Sequence, residues 1–309
     1  MEKQLWNIKS FNFLVWNMGA SSLEMAKTEI DNMIERCKIN TVNIAVQATQ
    51  EHCFSTDIDF TWKHMFKDQD LVELIKYCKE KDLKVILKTM VNPEDGYWRA
   101  WIKFFDKDVP GEPTWAEWFE SNEKYVTHYA KLAEENDVDM LIIGCELVST
   151  DHRSFEWRRL VSKVRKIYSG LVTYNCDKYQ EDNVDWWDAL DCISSSGYYP
   201  IDEWDQELER IEKVVTKYDK PFFFSECGCP SAKDCCYRPN DWTKIKGNTI
   251  DLDMQKQYFE IMLEKCSKYE WHKGYSVWSW GINQSVTNDD KGYALYNKPA
   301  EKVFLNWKA

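Results

Sequence analysis

Residues 220–230 read KPFFFSECGCP. Three consecutive phenylalanines belong in a core, yet the carboxylate of Glu226 follows two residues later. A buried carboxylate without a partner is costly or takes up a proton. A strand that runs into Glu226 must therefore open either into solvent or into a cleft built to hold the charge. The same construction recurs in DMLIIGCEL, residues 139–147, where Glu146 follows an apolar run.

Working outward from 220–230, short apolar runs repeat along the chain. They are FNFLVW (11–16), TVNIAV (41–46), LKVILKT (83–89), DMLIIGC (139–145), LVTYN (171–175), DCISSS (191–196), PFFFSE (221–226) and YSVWSW (275–280). Most are too short for helices and rich in Val, Ile and Phe, as strands covered on both faces should be. Amphipathic patterns with helical spacing lie between them, at 22–38, 70–81, 117–136, 154–168, 203–218 and 253–270. Asp70 is the expected N-cap of the second. A shorter helix is predicted at 183–191, and PAEKVFLNW (299–307) closes the chain. Eight strands alternating with about eight helices predict a single (β/α)8 TIM barrel, one α/β domain spanning 1–309. A doubly wound open sheet is the alternative, but no G-x-G-x-x-G turn follows the first strand. Two long connections, 90–116 and 227–252, follow strands three and seven, at the face where barrels carry their active sites.

Composition narrows the function. The net charge of −12 is spread along the chain without a basic stripe, which argues against a nucleic-acid partner. No run approaches a membrane span, and the N-terminus shows no apolar leader segment. With eleven cysteines scattered through strands and helices, reduced thiols in a cytoplasm are expected. Trp, Tyr and Phe reach 15%. Flat apolar faces with polar handles suit an open groove for sugar rings, although core packing alone could use many of them. An oligo- or polysaccharide is the expected partner, with no cofactor, and the chain is expected to act as a monomer.

If strands four and seven are placed correctly, Glu146 and Glu226 face each other across the barrel mouth. Glycoside hydrolysis needs such a pair, one carboxyl protonated to assist the leaving oxygen and one ionised to attack the anomeric carbon. Tyr198, in SGYYP (196–200), is placed to hydrogen-bond the nucleophile. Trp278 and Trp280 lie two apart on strand eight and so are expected on one face, as a floor beneath the sugar. Trp16 ends strand one at the same rim. The loop KTMVNPEDGYWRAWI (88–102) offers Lys88, Asn92, Asp95, Trp98 and Arg99. Two rivals are a zinc knot of Cys227, Cys229, Cys235 and Cys236, whose C-x-C-x5-C-C spacing differs from usual zinc pairs, and a sugar-binding barrel without catalysis.

The pattern GCEL…FEWRRLVSKVRKIYSG…LVTYNCD…VDWWDALDCISSSGYYP…KPFFFSECG…GYSVWSWG…YNKPAEK resembles glycoside hydrolase family 113 from about residue 12 to 305. EDGYWRA (94–100) is similar to a D-G-x-W-R segment of that family. The resemblance implies a retaining endo-β-mannanase with Glu146 as acid/base and Glu226 as nucleophile. It also implies that Lys88, Asn92, Arg99, Tyr198, Trp204 and Trp280 line the subsites nearest cleavage. The chain departs from the family pattern at Cys145, where Thr is common, at Asn92, where Asp is common, and at Ser276 and Ser279. The substrate could instead be a β-glucan or another hexan, with hydrolysis or transglycosylation.

Overall fold

A computed structural model describes residues 4–61, 63–282 and 289–308. Its eight parallel strands close into one barrel in the order β1 to β8. They are β1 Ile8–Leu14, β2 Thr41–Gln50, β3 Lys84–Pro93, β4 Met140–Cys145, β5 Leu171–Cys176, β6 Ile193–Gly197, β7 Phe222–Cys227 and β8 His272–Gly281. The expected (β/α)8 architecture is what the chain adopts. Seven α-helices are present among the described residues: α1 Ser22–Cys37, α2 Asp68–Glu80, α3 Trp115–Glu135, α4 Ser154–Val164, α5 Trp204–Tyr218, α6 Leu252–Cys266 and α7 Pro299–Asn306. None of the helices is long and apolar enough to cross a membrane.

Two expectations need correction. The helix predicted at 183–191 is only a 3-10 turn, Trp187–Ala189. Side chains pin this segment in place of a helical backbone ladder. Trp186 stacks on Trp157 at 4.9 Å, and the Trp187 indole donates to the Glu181 carbonyl at 2.8 Å. Helix α2 begins two residues earlier than predicted. Lys67 is its extended cap, and Asp68 and Asp70 both lie in the first turn, where the helix dipole favours acidic groups.

Apolar side chains divide between two layers. Outward-facing residues of the strands, such as Ile44, Leu87, Leu141, Phe222 and Phe224, pack against the helices. Inside the barrel, Ile8, Ile86, Met140, Ile142, Leu171 and Phe223 form one apolar layer. A polar layer sits in the same lumen. The Asn12 amide donates to the Ser225 and Ser276 carbonyls at 2.9 Å, and the Ser10 and Ser276 hydroxyls meet at 2.5 Å. Such groups are tolerated when buried because each finds a partner. Cys145, Ala45 and Met90 cluster in the lumen with Trp278 against them.

Three strands depart from regular pairing. On β7, Phe224 pairs Ser195 but Glu226 pairs Ser196, so Ser225 is an extra residue. On β4, Ile142 pairs Thr173 and Cys145 pairs Asn175, again one residue more than the partner strand. On β8, Val277 pairs Phe11 and Trp280 pairs Phe13. An extra residue reverses the in–out alternation beyond it and re-aims a side chain. Phe222 and Phe224 point outward; without the extra Ser225, Glu226 would follow them into the helix layer.

Candidate active site

Glu146 follows β4 with a left-handed backbone, φ 51°, and its N–H is held by the Asn175 carbonyl at 2.8 Å. One carboxyl oxygen, Oε1, accepts from the Ser196 hydroxyl at 2.7 Å. The other accepts from Arg99 Nη1 at 3.1 Å and from the Trp98 indole at 3.2 Å. Glu226 is 4% exposed and sits in a different setting. Its Oε1 is bonded by the Lys88 ammonium, which is itself fully buried, and by the Cys145 thiol at 3.4 Å. Its Oε2 accepts from the Tyr198 hydroxyl at 3.0 Å.

Burial by itself would raise the Glu226 carboxyl. The Lys88 and Arg99 cations, with the hydrogen bonds from Lys88 and Tyr198, override it and hold the group below the usual range. Glu226 is therefore an ionised carboxylate aimed from a dry wall. Burial and the nearby Glu226 push the Tyr198 phenol well above its ordinary value, so it stays a donor. Gly197 makes room for this arrangement. A Cβ there would lie 2.7 Å from the Phe224 ring, so glycine lets β6 end close against β7 with Tyr198 over the carboxylate.

Both glutamates border one cleft of about 720 Å³ at the C-terminal rim, together with Trp98, Arg99, Asp177, Tyr198, Trp242, Trp278 and Tyr293. A larger open groove of about 930 Å³ runs along α6 and α7. Its Glu301 is committed to an ion pair with Arg36 at 2.6 Å, and its Glu260 pairs with Lys256 at 3.4 Å.

The predicted residues separate into three groups. Glu146, Glu226, Arg99, Tyr198 and Trp278 border the cleft. Lys88 and Asn92 act beneath it: Lys88 holds Glu226, and Asn92 Oδ1 accepts two bonds from Arg99 at 3.1 and 2.8 Å. Asn92 is braced in turn by Gln47 at 2.8 Å. Trp16, Trp204 and Trp280 do not border this cavity, and the burial of Trp204 and Trp280 corrects their assignment as sugar-binding residues. Trp16 makes a bridge to Met65 and packs on the outer core. Trp204, the first residue of α5, is 1% exposed and lies edge-on to Tyr199 and Phe224 behind the barrel wall. Trp280, also 1% exposed, faces out toward α1, donating to Glu29 at 2.8 Å. The extra residue on β8 explains why Trp278 and Trp280 do not share a face.

Ser196, Asp177, Trp242 and Tyr293 were missed. Asp177 carries a readable signal. It directly follows the apolar strand LVTYNC, as Glu146 follows LIIGC. Trp242 packs tilted against Tyr293, with ring centroids 4.6 Å apart, but both lie in long loops with no local pattern to mark them. The cysteine-rich stretch after β7 is packing. Cys227, Cys229 and Cys236 join the outer core, all eleven cysteines are free thiols, and burial pushes Cys236 up to about 11. Among the described residues no group of three or more His, Cys, Asp or Glu is placed to hold a metal ion.

No curated protein matches the chain. Among solved structures, one described as a GH113 β-1,4-mannanase complex is 46% identical with a TM-score of 0.93, the match covering 97% of this chain and 98% of that one. The GH113 β-mannanase AaManA from Alicyclobacillus acidocaldarius, in complex with ManMIm, is 32% identical with a TM-score of 0.91, covering 97% and 96% of the two chains. A β-glucuronidase from an uncultured Clostridium, 13% identical with a TM-score of 0.65, covers 97% of this chain and 50% of its own and shares the fold alone. The family model of Glycoside Hydrolase Family 113 matches residues 10–298. The chain is a glycoside hydrolase and belongs to that family.

Proposed function

We propose that the protein hydrolyses β-1,4-mannosidic linkages in mannan, glucomannan or manno-oligosaccharides with retention of anomeric configuration. The observation that carries the reading is the unlike holding of two carboxyls in one cleft: Glu226 fixed by Lys88 and Tyr198, Glu146 by Ser196, Arg99 and Trp98. Support for the substrate comes from relatives described as β-1,4-mannanases at 46% and 47% identity.

In the first step a Glu226 oxygen attacks the anomeric carbon as the bond to the leaving oxygen breaks. Glu146 gives its proton to that oxygen. In the second, Glu146, now a carboxylate, takes a proton from water, and the water oxygen displaces Glu226 from the sugar. Each displacement inverts the centre, so the product retains its configuration. Lys88 and Tyr198 keep Glu226 ionised and oriented before attack and accompany it as a leaving group afterwards. Arg99, anchored on Asn92, and the Trp98 indole fix the direction of the Glu146 carboxyl. Trp278, against the Lys88 ammonium at 6.0 Å, offers an indole face to the sugar under attack.

The test is product analysis. Reducing ends are measured on mannan, glucomannan and β-glucan, and proton NMR follows the first-formed anomer. The reading expects release from the mannans and initial β-product. Preference for β-glucan would reassign the substrate, and initial α-product would replace double displacement by inversion.

A further inference from the structure

Asp177 is a third carboxyl in the cleft, and the double displacement gives it no task. It directly follows β5, borders the same cavity as the two glutamates and is 6% exposed. Its nearest cation, Lys178 Nζ, stands 3.7 Å away, beyond hydrogen-bond reach. Its backbone carbonyl closes a turn with the Gln180 N–H at 3.2 Å. A carboxyl so enclosed, held only by the distant Lys178 ammonium and the Lys178 backbone N–H, keeps hydrogen-bonding capacity for whatever fills the cleft.

Building on the proposed function, we infer that Asp177 binds the sugar on the leaving side of the scissile bond by donating a hydrogen bond to one of its hydroxyls. The side follows from position. Glu146 delivers its proton to the leaving oxygen, and Asp177 ends the neighbouring strand: Asn175 of β5 pairs with Cys145 of β4, and its carbonyl holds the Glu146 N–H. The donor role follows from surroundings. Burial first, and Glu146 only when it is ionised, raise the Asp177 carboxyl above its ordinary value, against the opposing pull of the Lys178 ammonium and backbone N–H. The charged groups facing it are Glu146 beyond β4, Lys178 and Glu181 in its own loop, and Asp151 before α4. Three of these four are acidic. Burial thus favours the protonated form of Asp177, which donates; ionised, it would only accept.

The test compares two substrates with the same glycone. Mannotetraose leaves a sugar departing through the Asp177 side, whereas 2,4-dinitrophenyl β-mannobioside leaves an aryl group without hydroxyls. Asp177→Ala is expected to lower kcat/KM on mannotetraose about 10-fold, the loss of one such bond, and to leave the aryl substrate within about 2-fold. Asp177→Asn preserves shape and an N–H donor and is expected to stay within about 3-fold of wild type on both. An Asp177→Ala loss equal on both substrates, or absent from both, overturns the assignment, as does an Asn variant as poor as the Ala variant. Wild-type protein that cleaves neither substrate overturns the mannanase reading and this inference with it.

Discussion

Strands β2 and β3 pair residue for residue along their whole length, Thr41–Gln50 against Lys84–Pro93, while β4 and β7 each take one residue more than a neighbour. The regular pair contributes Ile44 and Leu87 to the wall between sheet and helices. The irregular strands carry the two glutamates. In this barrel the regular pair supplies core residues and the supporting Lys88 and Asn92, while interrupted pairing turns the two paired carboxyls toward the cleft. The glutamates are placed where the alternation of the strand is broken.

That division can be broken experimentally. Glu226→Ala should lower kcat/KM on mannan by roughly 10⁴-fold or more, with thermal unfolding showing a folded protein. Unchanged turnover would remove Glu226 from the mechanism.

Lys88→Met should cost roughly 10²-fold in kcat and move the acid limb of the rate profile to higher pH. The folded carboxyl of Glu226 lies below its unfolded value, so its ionisation stabilises the fold above the ordinary carboxylate range. That contribution is lost as pH falls through the folded value. Without Lys88, burial dominates and Glu226 takes a proton at higher pH. An unmoved acid limb would show that another group sets it.

A smaller effect is expected of Arg99→Lys. One ammonium cannot reproduce the fork that reaches Asn92 and Glu146 together, and a loss of about 10-fold in kcat/KM should follow. A lysine variant with wild-type kinetics would leave only the positive charge needed.

Ile44→Ala, in the regular pair, should have the smallest effect on activity, keeping kcat/KM within about 2-fold while costing ~2–5 kcal/mol of stability by denaturant titration. A large kinetic loss there would dissolve the distinction between the two kinds of strand.

The barrel was legible because apolar runs are a local pattern repeated eight times, with helical spacings between most of them. Glu146 and Glu226 were legible because a carboxylate directly after a core run has few structural uses. The extra residues on β4, β7 and β8 were not, since they exist only relative to the neighbouring strand. Hence Trp280 was placed on the wrong face, although Trp278 was placed correctly. Trp204 was carried over by resemblance, and its burial depends on Tyr199, Phe224 and Tyr258, contacts that no spacing reveals. The predicted 183–191 helix failed for a similar reason: its tryptophans answer to Trp157 on another helix.

The long segment after β7 is tied down away from the glutamates. Ser231 binds the Gly292 carbonyl through its N–H at 3.1 Å, the Lys298 ammonium reaches the Ser231 hydroxyl at 2.9 Å, and the Tyr293 hydroxyl bonds the Pro239 carbonyl. Trp242 is presented at the cleft by this framework, not by the strands that carry the carboxyls. The walls of the cleft therefore have two independent supports: substitutions at 238–243 can reshape the Trp242 side while the paired glutamates, Lys88 and Tyr198 stay in place.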